Sequence, residues 1–133
     1  MRLQRAEPLK LEGFAAARAF FASCFGESDP ACEVLWVAHL DRAANCLHLA
    51  SKVGDECTSS LPVRTIIADA LRRGSSGLLL AHNHPSGDPR PSLSDCLATR
   101  HLACAARAID CRLIDHLIFG GSECTSFRSL GLL

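Results

Sequence analysis

Apolar residues recur every three or four positions across 12–25 (EGFAAARAFFASCF), the spacing of an amphipathic helix, and Gly26 with Asp29-Pro30 supplies the break after it. β-branched and aromatic content then rises from Glu33 to Leu40 (EVLWVAHL). A second short run, Leu47 to Val53, follows at hairpin distance beyond residues 41–45, so the pair predicts two antiparallel strands. A Ser-Ser-Leu-Pro entry opens another helical pattern, carried by Val63, Ile66, Ile67, Ala70 and Leu71 and closed by Arg72-Arg73-Gly74. Gly77 to Ala81 (GLLLA) is short and wholly apolar between turn formers, as a strand covered on both faces is. Pro85 to Pro91 reads as a loop. From Ser92 the helical spacing returns through Leu93, Leu97, Leu102, Ala105, Ala106 and Ile109, and 111–119 and 124–127 read as two closing strands around Gly120-Gly121. Helices and strands in this order predict an α/β fold, a three-layer α-β-α sandwich with helices on both faces of a mixed sheet.

The chain has 133 residues, long enough to bury roughly two thirds of its unfolded surface without disulfide or metal staples. It reads as a single domain over 1–133, with an N-terminal helix in 1–29 and a core in 30–133. Lys plus Arg number 14 and Asp plus Glu 14, a net charge of zero that speaks against a strongly basic, free-standing nucleic-acid binder. None of the 8 cysteines forms a C-x-x-C pair, which removes the zinc-ribbon and thioredoxin readings. No apolar run follows the charged N-terminus, and runs such as Val34 to Ala38 are far too short to span a bilayer. The expectation is a cytoplasmic protein with reduced thiols, most of them small core hydrophobes, and no membrane partner.

Chemistry concentrates at the end of the central strand, in His82-Asn83-His84-Pro85-Ser86-Gly87-Asp88-Pro89-Arg90-Pro91-Ser92-Leu93-Ser94-Asp95. Residues two apart on an extended chain face the same side, so His82 and His84 can converge on one ion, and the Pro/Gly-rich loop can return Asp95 as an oxygen ligand. Two imidazoles and a carboxylate leave a fourth tetrahedral position open for water, as catalytic zinc sites do. Each piece also has an ordinary reading. Ser92-x-x-Asp95 is a capping-box variant, His-x-His is commonly a surface pair, and the prolines describe a stiff turn. Their coincidence at a strand's carboxyl end and a helix's amino end, where α/β folds place ligands, favours a site. The capping and catalytic roles of Ser92 are compatible, since its oxygen accepts while its hydrogen donates elsewhere.

The run HNHPSGDPRPSLSD resembles the signature of the JAMM (JAB/MPN+) metalloenzymes: an upstream Glu, His-x-His, ten residues, then Asp, with Ser three before it. Together with Arg64, Ile114-Asp115-His116-Leu117-Ile118 and a final Gly-Leu-Leu, it is similar to the RadC branch of that superfamily over about residues 30–133. The resemblance implies a cytidine deaminase-like fold and Zn2+ bound by His82, His84 and Asp95. It also implies that Ser92 steadies an oxyanion and that a Glu activates water to hydrolyse a peptide or isopeptide bond. Glu33, at the start of the first strand, is preferred for that Glu over Glu56, which has no strand to fix it; the choice requires the first and central strands to be antiparallel neighbours.

Other residues carry less. His-Asn-His spells a nuclease name without the separated positions such nucleases use, and a zinc deaminase needs a Glu where His84 stands and a P-C-x-x-C pair. His116 beside Asp115 is expected to serve structure, next to the ligands or in packing. Asp88 is the likeliest false ligand, and His39, His48 and His101 lack ligand spacing. Trp36 and Phe20-Phe21 read as core. Only about 30 residues precede the matching part, whereas RadC-like proteins commonly carry a helix-hairpin-helix region there, and Val63 stands where the family usually has Pro before Arg64. The alternative reading is therefore a non-catalytic RadC-like binding module of DNA-repair or mobile-element type, with a protein or DNA partner.

Overall fold

The computed structural model describes residues 9–54 and 61–133. Along the chain run α1 (Phe14–Gly26), β1 (Val34–Leu40), β2 (Cys46–Val53), α2 (Val63–Arg73), β3 (Gly77–Asn83), α3 (Leu93–Ala108), β4 (Arg112–Gly120) and β5 (Glu123–Ser126). The strands form one sheet in the order β2-β1-β3-β4-β5. β1 is antiparallel to both β2 and β3, β3 is parallel to β4, and β4 is antiparallel to β5, so the sheet is mixed.

Side-chain alternation on β3 divides the core into two layers. Leu78 and Leu80 join Val37 and Leu113 beneath Ile66 and Ala70 of α2 and Leu102 and Ala106 of α3. Leu79 and Ala81 face the other way, against Ala17 and Phe21 of α1 with Ala38, Leu40 and Leu117. The uniformly apolar GLLLA run follows from this, because both faces of its strand lie under helices. The fold is thus the three-layer α/β sandwich read from the sequence. Phe21 is buried, while Phe20 and Trp36 pack partly buried against the second cluster.

Several boundaries move for identifiable reasons. β3 continues past Ala81 to Asn83 because its pairing with β4 extends to Asn83↔Phe119, which places His82 inside the strand. α1 begins at Phe14 rather than Glu12, since Gly13 has φ 87 and breaks the helical backbone. The Ser59-Ser60 entry to α2 lies outside the described residues. The expectation that most cysteines are core is corrected: of the described thiols, all free, only Cys111 is buried and Cys32 and Cys104 are exposed. Cys24, Cys46 and Cys124 instead sit half-buried at the edge of the second cluster, where burial pushes the Cys124 thiol up to about 11.

Two contacts join the layers tightly enough to yield measurable consequences. Buried His39 on β1 shares a 2.8 Å hydrogen bond between Nδ1 and the Ser75 hydroxyl beyond α2, and its Nε2 has no partner among the described residues. Burial, then the neighbouring His48, lowers its pKa from 6.5, with Asp69 opposing and Arg73 reinforcing that shift. The folded state therefore resists a proton that the unfolded chain accepts. The stability tied to neutral His39 is complete above 6.5 and is lost as pH falls below it, by up to about 1.4 kcal/mol per pH unit. In denaturant titrations between pH 7 and 5, His39→Gln should make the stability profile flatter. At the far end of β4, a Cβ on Gly120 would stand 2.6 Å from the Pro89 nitrogen and 2.7 Å from the Asp88 carbonyl carbon. A Cβ on Gly77 would crowd the Ile114 side chain, whose Cδ1 stands at 2.6 Å, and would meet backbone only at an ordinary 3.7 Å from the Arg112 carbonyl oxygen. Gly120→Ala should destabilise by about 1–3 kcal/mol in denaturant unfolding, and Gly77→Ala by less.

Candidate metal centre

His82 ends the buried part of β3 and His84 follows two residues on, so both imidazoles face the side of the sheet covered by α2 and α3. Their Nε2 atoms are 3.0 Å apart. The loop after His84 is stiffened by its prolines and by Asp88, which accepts two hydrogen bonds from Arg90 Nε at 3.0 Å each and one from Nη2 at 2.7 Å. These contacts lower the Asp88 carboxyl to about 2. Its carboxylate is thereby committed to Arg90, and only its backbone carbonyl meets the site, 2.8 Å from His84 Nδ1.

α3 then returns Asp95. Ser92 caps the helix: its hydroxyl accepts from the Asp95 amide, and the Asp95 carboxylate accepts from the Ser92 amide, both at 2.9 Å. The same carboxylate lies 3.6 Å from His82 Nε2 through Oδ1 and 3.2 Å from His84 Nε2 through Oδ2. The capping box and the convergence on the histidines are therefore one arrangement. Burial alone would raise the Asp95 pKa, but the contact with His82 and the hydrogen bond from the Ser92 backbone hold it well below the usual carboxylate range.

Glu33 approaches from β1. Leu35 pairs with His82 in the antiparallel β1–β3 ladder, which sets Glu33 across from His84. A Glu33 carboxylate oxygen and a ring nitrogen of each histidine lie within 4.8 Å of one another. The adjacency required of these two strands is met. Glu56 lies outside the described residues.

The donor set fits a divalent cation. A carbonyl only accepts, so His84 carries its proton on Nδ1 and turns a lone pair inward at Nε2. His82 Nδ1 is 2.7 Å from His116 Nε2, and His116 Nδ1 is 2.7 Å from the Thr99 hydroxyl. His116 is neutral, because burial drives its pKa well below the ordinary value. When His82 donates to His116 and His116 donates to Thr99, His82 is left with a lone pair at Nε2 for a cation. Acceptors facing one another this closely need a cation or shared protons between them. Tetrahedral ligands of zinc stand about 3.3 Å from each other, which the observed 3.0, 3.2 and 3.6 Å separations bracket.

A family described as "RadC: RadC-like JAB domain" matches residues 11–132. The chain belongs to this RadC-like JAB family. Curated relatives carry the name UPF0758 protein. That of Symbiobacterium thermophilum is 49% identical over 70 residues, 53% of this chain and 30% of the relative. That of Coxiella burnetii is 49% identical over 75 residues, 56% of this chain and 34% of the relative. That of Chloroflexus aurantiacus is 39% identical over 80 residues, 60% of this chain and 35% of the relative. The chain spans about a third of the length of these relatives. The family match opens at residue 11, so α1 belongs to the RadC-like unit as well as residues 30–133.

In this RadC-like site the structure brings together His82, His84, Ser92, Asp95 and Glu33 and leaves Asp88 aside. The metal-capable group found among the described residues is Glu33, His82 and His84; Asp95 meets it through its contacts with both imidazoles, and His39, His48 and His101 lie outside it. Two contributors, Asn83 and Thr99, were not assigned from sequence, and His116 stands next to a candidate ligand as its structural reading expects. Asn83, facing away from the histidines, accepts from the Val34 amide at 2.7 Å and donates to the Cys32 carbonyl at 2.9 Å, clamping the backbone on both sides of Glu33. Thr99 and His116 form the buried support behind His82; the Asp115-His116 pair was visible, its partner was not.

Thr99→Val should weaken zinc binding about 10-fold to 100-fold, measured by competition with a chelating dye, because the proton on His116 then has no acceptor. Thr99→Ser, which keeps the hydroxyl, should stay near the parent value.

Proposed function

We propose that this domain is a zinc-dependent hydrolase of the JAMM type that cleaves a peptide or isopeptide bond in a peptide or protein substrate with water. The observation that carries the reading is the convergence of His82, His84 and the capped Asp95, with Glu33 held opposite by the β1–β3 pairing. His82, His84 and Asp95 would hold the ion, which supplies a Lewis acid and lowers the pKa of a water toward about 7.

The two carboxylates divide the labour according to how they are held. Asp95 is fixed by the Ser92 amide and by the helix start, which suits a ligand that must not move. Glu33 makes no side-chain hydrogen bond among the described residues, so its carboxylate is free to take a proton from water and return it to the departing amine. The exposed Ser92 hydroxyl spends its lone pair on the Asp95 amide, and its hydrogen is left to donate to the oxygen of the attacked carbonyl as charge gathers there. Leu35, Leu61, Pro62 and Ala98 line the cleft shared with Glu33, His82 and Asp95, giving an apolar wall against which an acyl side chain can exclude water. No helix among the described residues is long and apolar enough to cross a membrane, and the free thiols support a reducing, cytoplasmic setting.

The test combines metal analysis with turnover of peptide and isopeptide libraries. Zinc should co-purify with the parent protein and be lost from Asp95→Ala. Glu33→Gln should keep its zinc and lose about 100-fold to 10,000-fold in rate, and Ser92→Ala about 100-fold to 1000-fold. Equal zinc in parent and Asp95→Ala, or undiminished turnover in Glu33→Gln, would overturn the assignment. Absence of zinc and turnover alike would leave a binding module.

A further inference from the structure

The far end of α3 carries a second concave feature, independent of the hydrolase reading. A groove of 590 Å³ is lined by Arg100 and Arg107 of α3, Arg112 at the start of β4, and Arg128 beyond β5. It thus gathers four of the chain's 14 cationic side chains, with Asp110 the only carboxylate side chain among its lining residues. None of these arginines forms a salt bridge among the described residues. Arg107 answers the negative end of the α3 dipole, and Arg128 Nε donates to the Ile114 carbonyl at 2.7 Å. Arg100, Arg112 and the remaining donors of Arg128 have no such internal duty. In a chain of zero net charge, four exposed guanidiniums against one side-chain carboxylate make a local positive field that favours an anion in the groove.

We propose that this groove binds a small phosphorylated ligand with at least two negative charges, of nucleoside-diphosphate size. The guanidinium fork matches phosphate oxygens in pairs, and several forks in one cavity suit a diphosphate. Its volume falls within the roughly 300–1000 Å³ of small-molecule sites, and Ala103, Leu113 and Leu132 give it an apolar floor for the uncharged part of the ligand. A track for single-stranded nucleic acid would offer aromatic platforms, and no aromatic residue lines the groove. α3 is 16 residues long, so about 24 Å of helix runs from the Ser92 end toward this groove.

Cys104 lines the groove and is exposed, as is Cys32 elsewhere, which provides a readout in the unmodified protein. Maleimide labelling of each thiol, followed by peptide mass spectrometry, is to be timed with ADP, pyrophosphate, adenosine or a single-stranded oligonucleotide. ADP and pyrophosphate should slow labelling at Cys104 about tenfold at saturation, leave Cys32 unchanged, and do so equally in Asp95→Ala; adenosine should not protect. Arg112→Gln should weaken ADP protection about tenfold or more, and Arg100→Gln, on the exposed face of α3, repeats the test should the first variant fail to fold. No protection by ADP, protection by the oligonucleotide alone, or ADP protection unchanged in both arginine variants would overturn the proposal.

Discussion

The antiparallel pairing of β1 with β3, in which Leu35 lies across from His82, is the constraint on which the candidate site depends. It places the start of β1 against the end of β3, so residue 33 meets residues 82 and 84 without any long connection to position it. It also fixes facing, because a slip of one residue would send Glu33 to the α1 side of the sheet and away from both imidazoles. Strand ends fray, however, and Glu33 sits just outside β1. The Asn83 side chain answers this by bonding the backbone at Cys32 and Val34, so the residue between the two histidines secures the carboxylate opposite them. Alternation on an extended strand makes this possible: His82 and His84 work on one face while Asn83 works on the other.

The second half of the site is assembled by local chemistry. After His84 the chain must turn and begin a helix with a carboxylate aimed backward, and each requirement has its own device. The Asp88–Arg90 pair and the prolines stiffen the turn, the Asp88 carbonyl orients His84, and Gly120 lets the loop lie against the end of β4. The reciprocal cap between Ser92 and Asp95 then serves both helix start and site: it satisfies two amides that would otherwise lack partners and holds the carboxylate oxygens at the imidazoles.

This division explains what the sequence made legible. Elements bounded by strong local signals, such as the GLLLA strand or the helix opened by Ser92, stand where those signals place them, although β3 runs two residues further. His82, His84, Ser92 and Asp95 were readable because they fall within fourteen consecutive residues, where spacing alone carries geometry. Asn83 was in view, but its role depends on which strand lies alongside, a fact of register. Thr99 meets His116 across 17 residues, and His116 meets His82 across 34, so no local pattern announces either contact. The half-buried cysteines have the same origin. A thiol suits a core and its margin equally, and only packing decides between them.

The choice of a threonine at the end of the buried chain has a physical rationale. A hydroxyl donates or accepts, so the Thr99–His116–His82 line can run in either direction with one proton at each stage. When His82 presents a lone pair toward Asp95 and His84, protons point toward Thr99. When His82 Nε2 instead carries a proton, His116 donates to His82 and Thr99 donates to His116. Neither arrangement orphans a buried polar atom in this line, whereas a backbone carbonyl in place of Thr99 would permit only the first. The two apolar layers can therefore hold the sheet and helices in place whether or not the imidazoles face a cation. The site's protonation is thereby uncoupled from the packing beneath it: a cation can enter or leave while His116 keeps both of its partners.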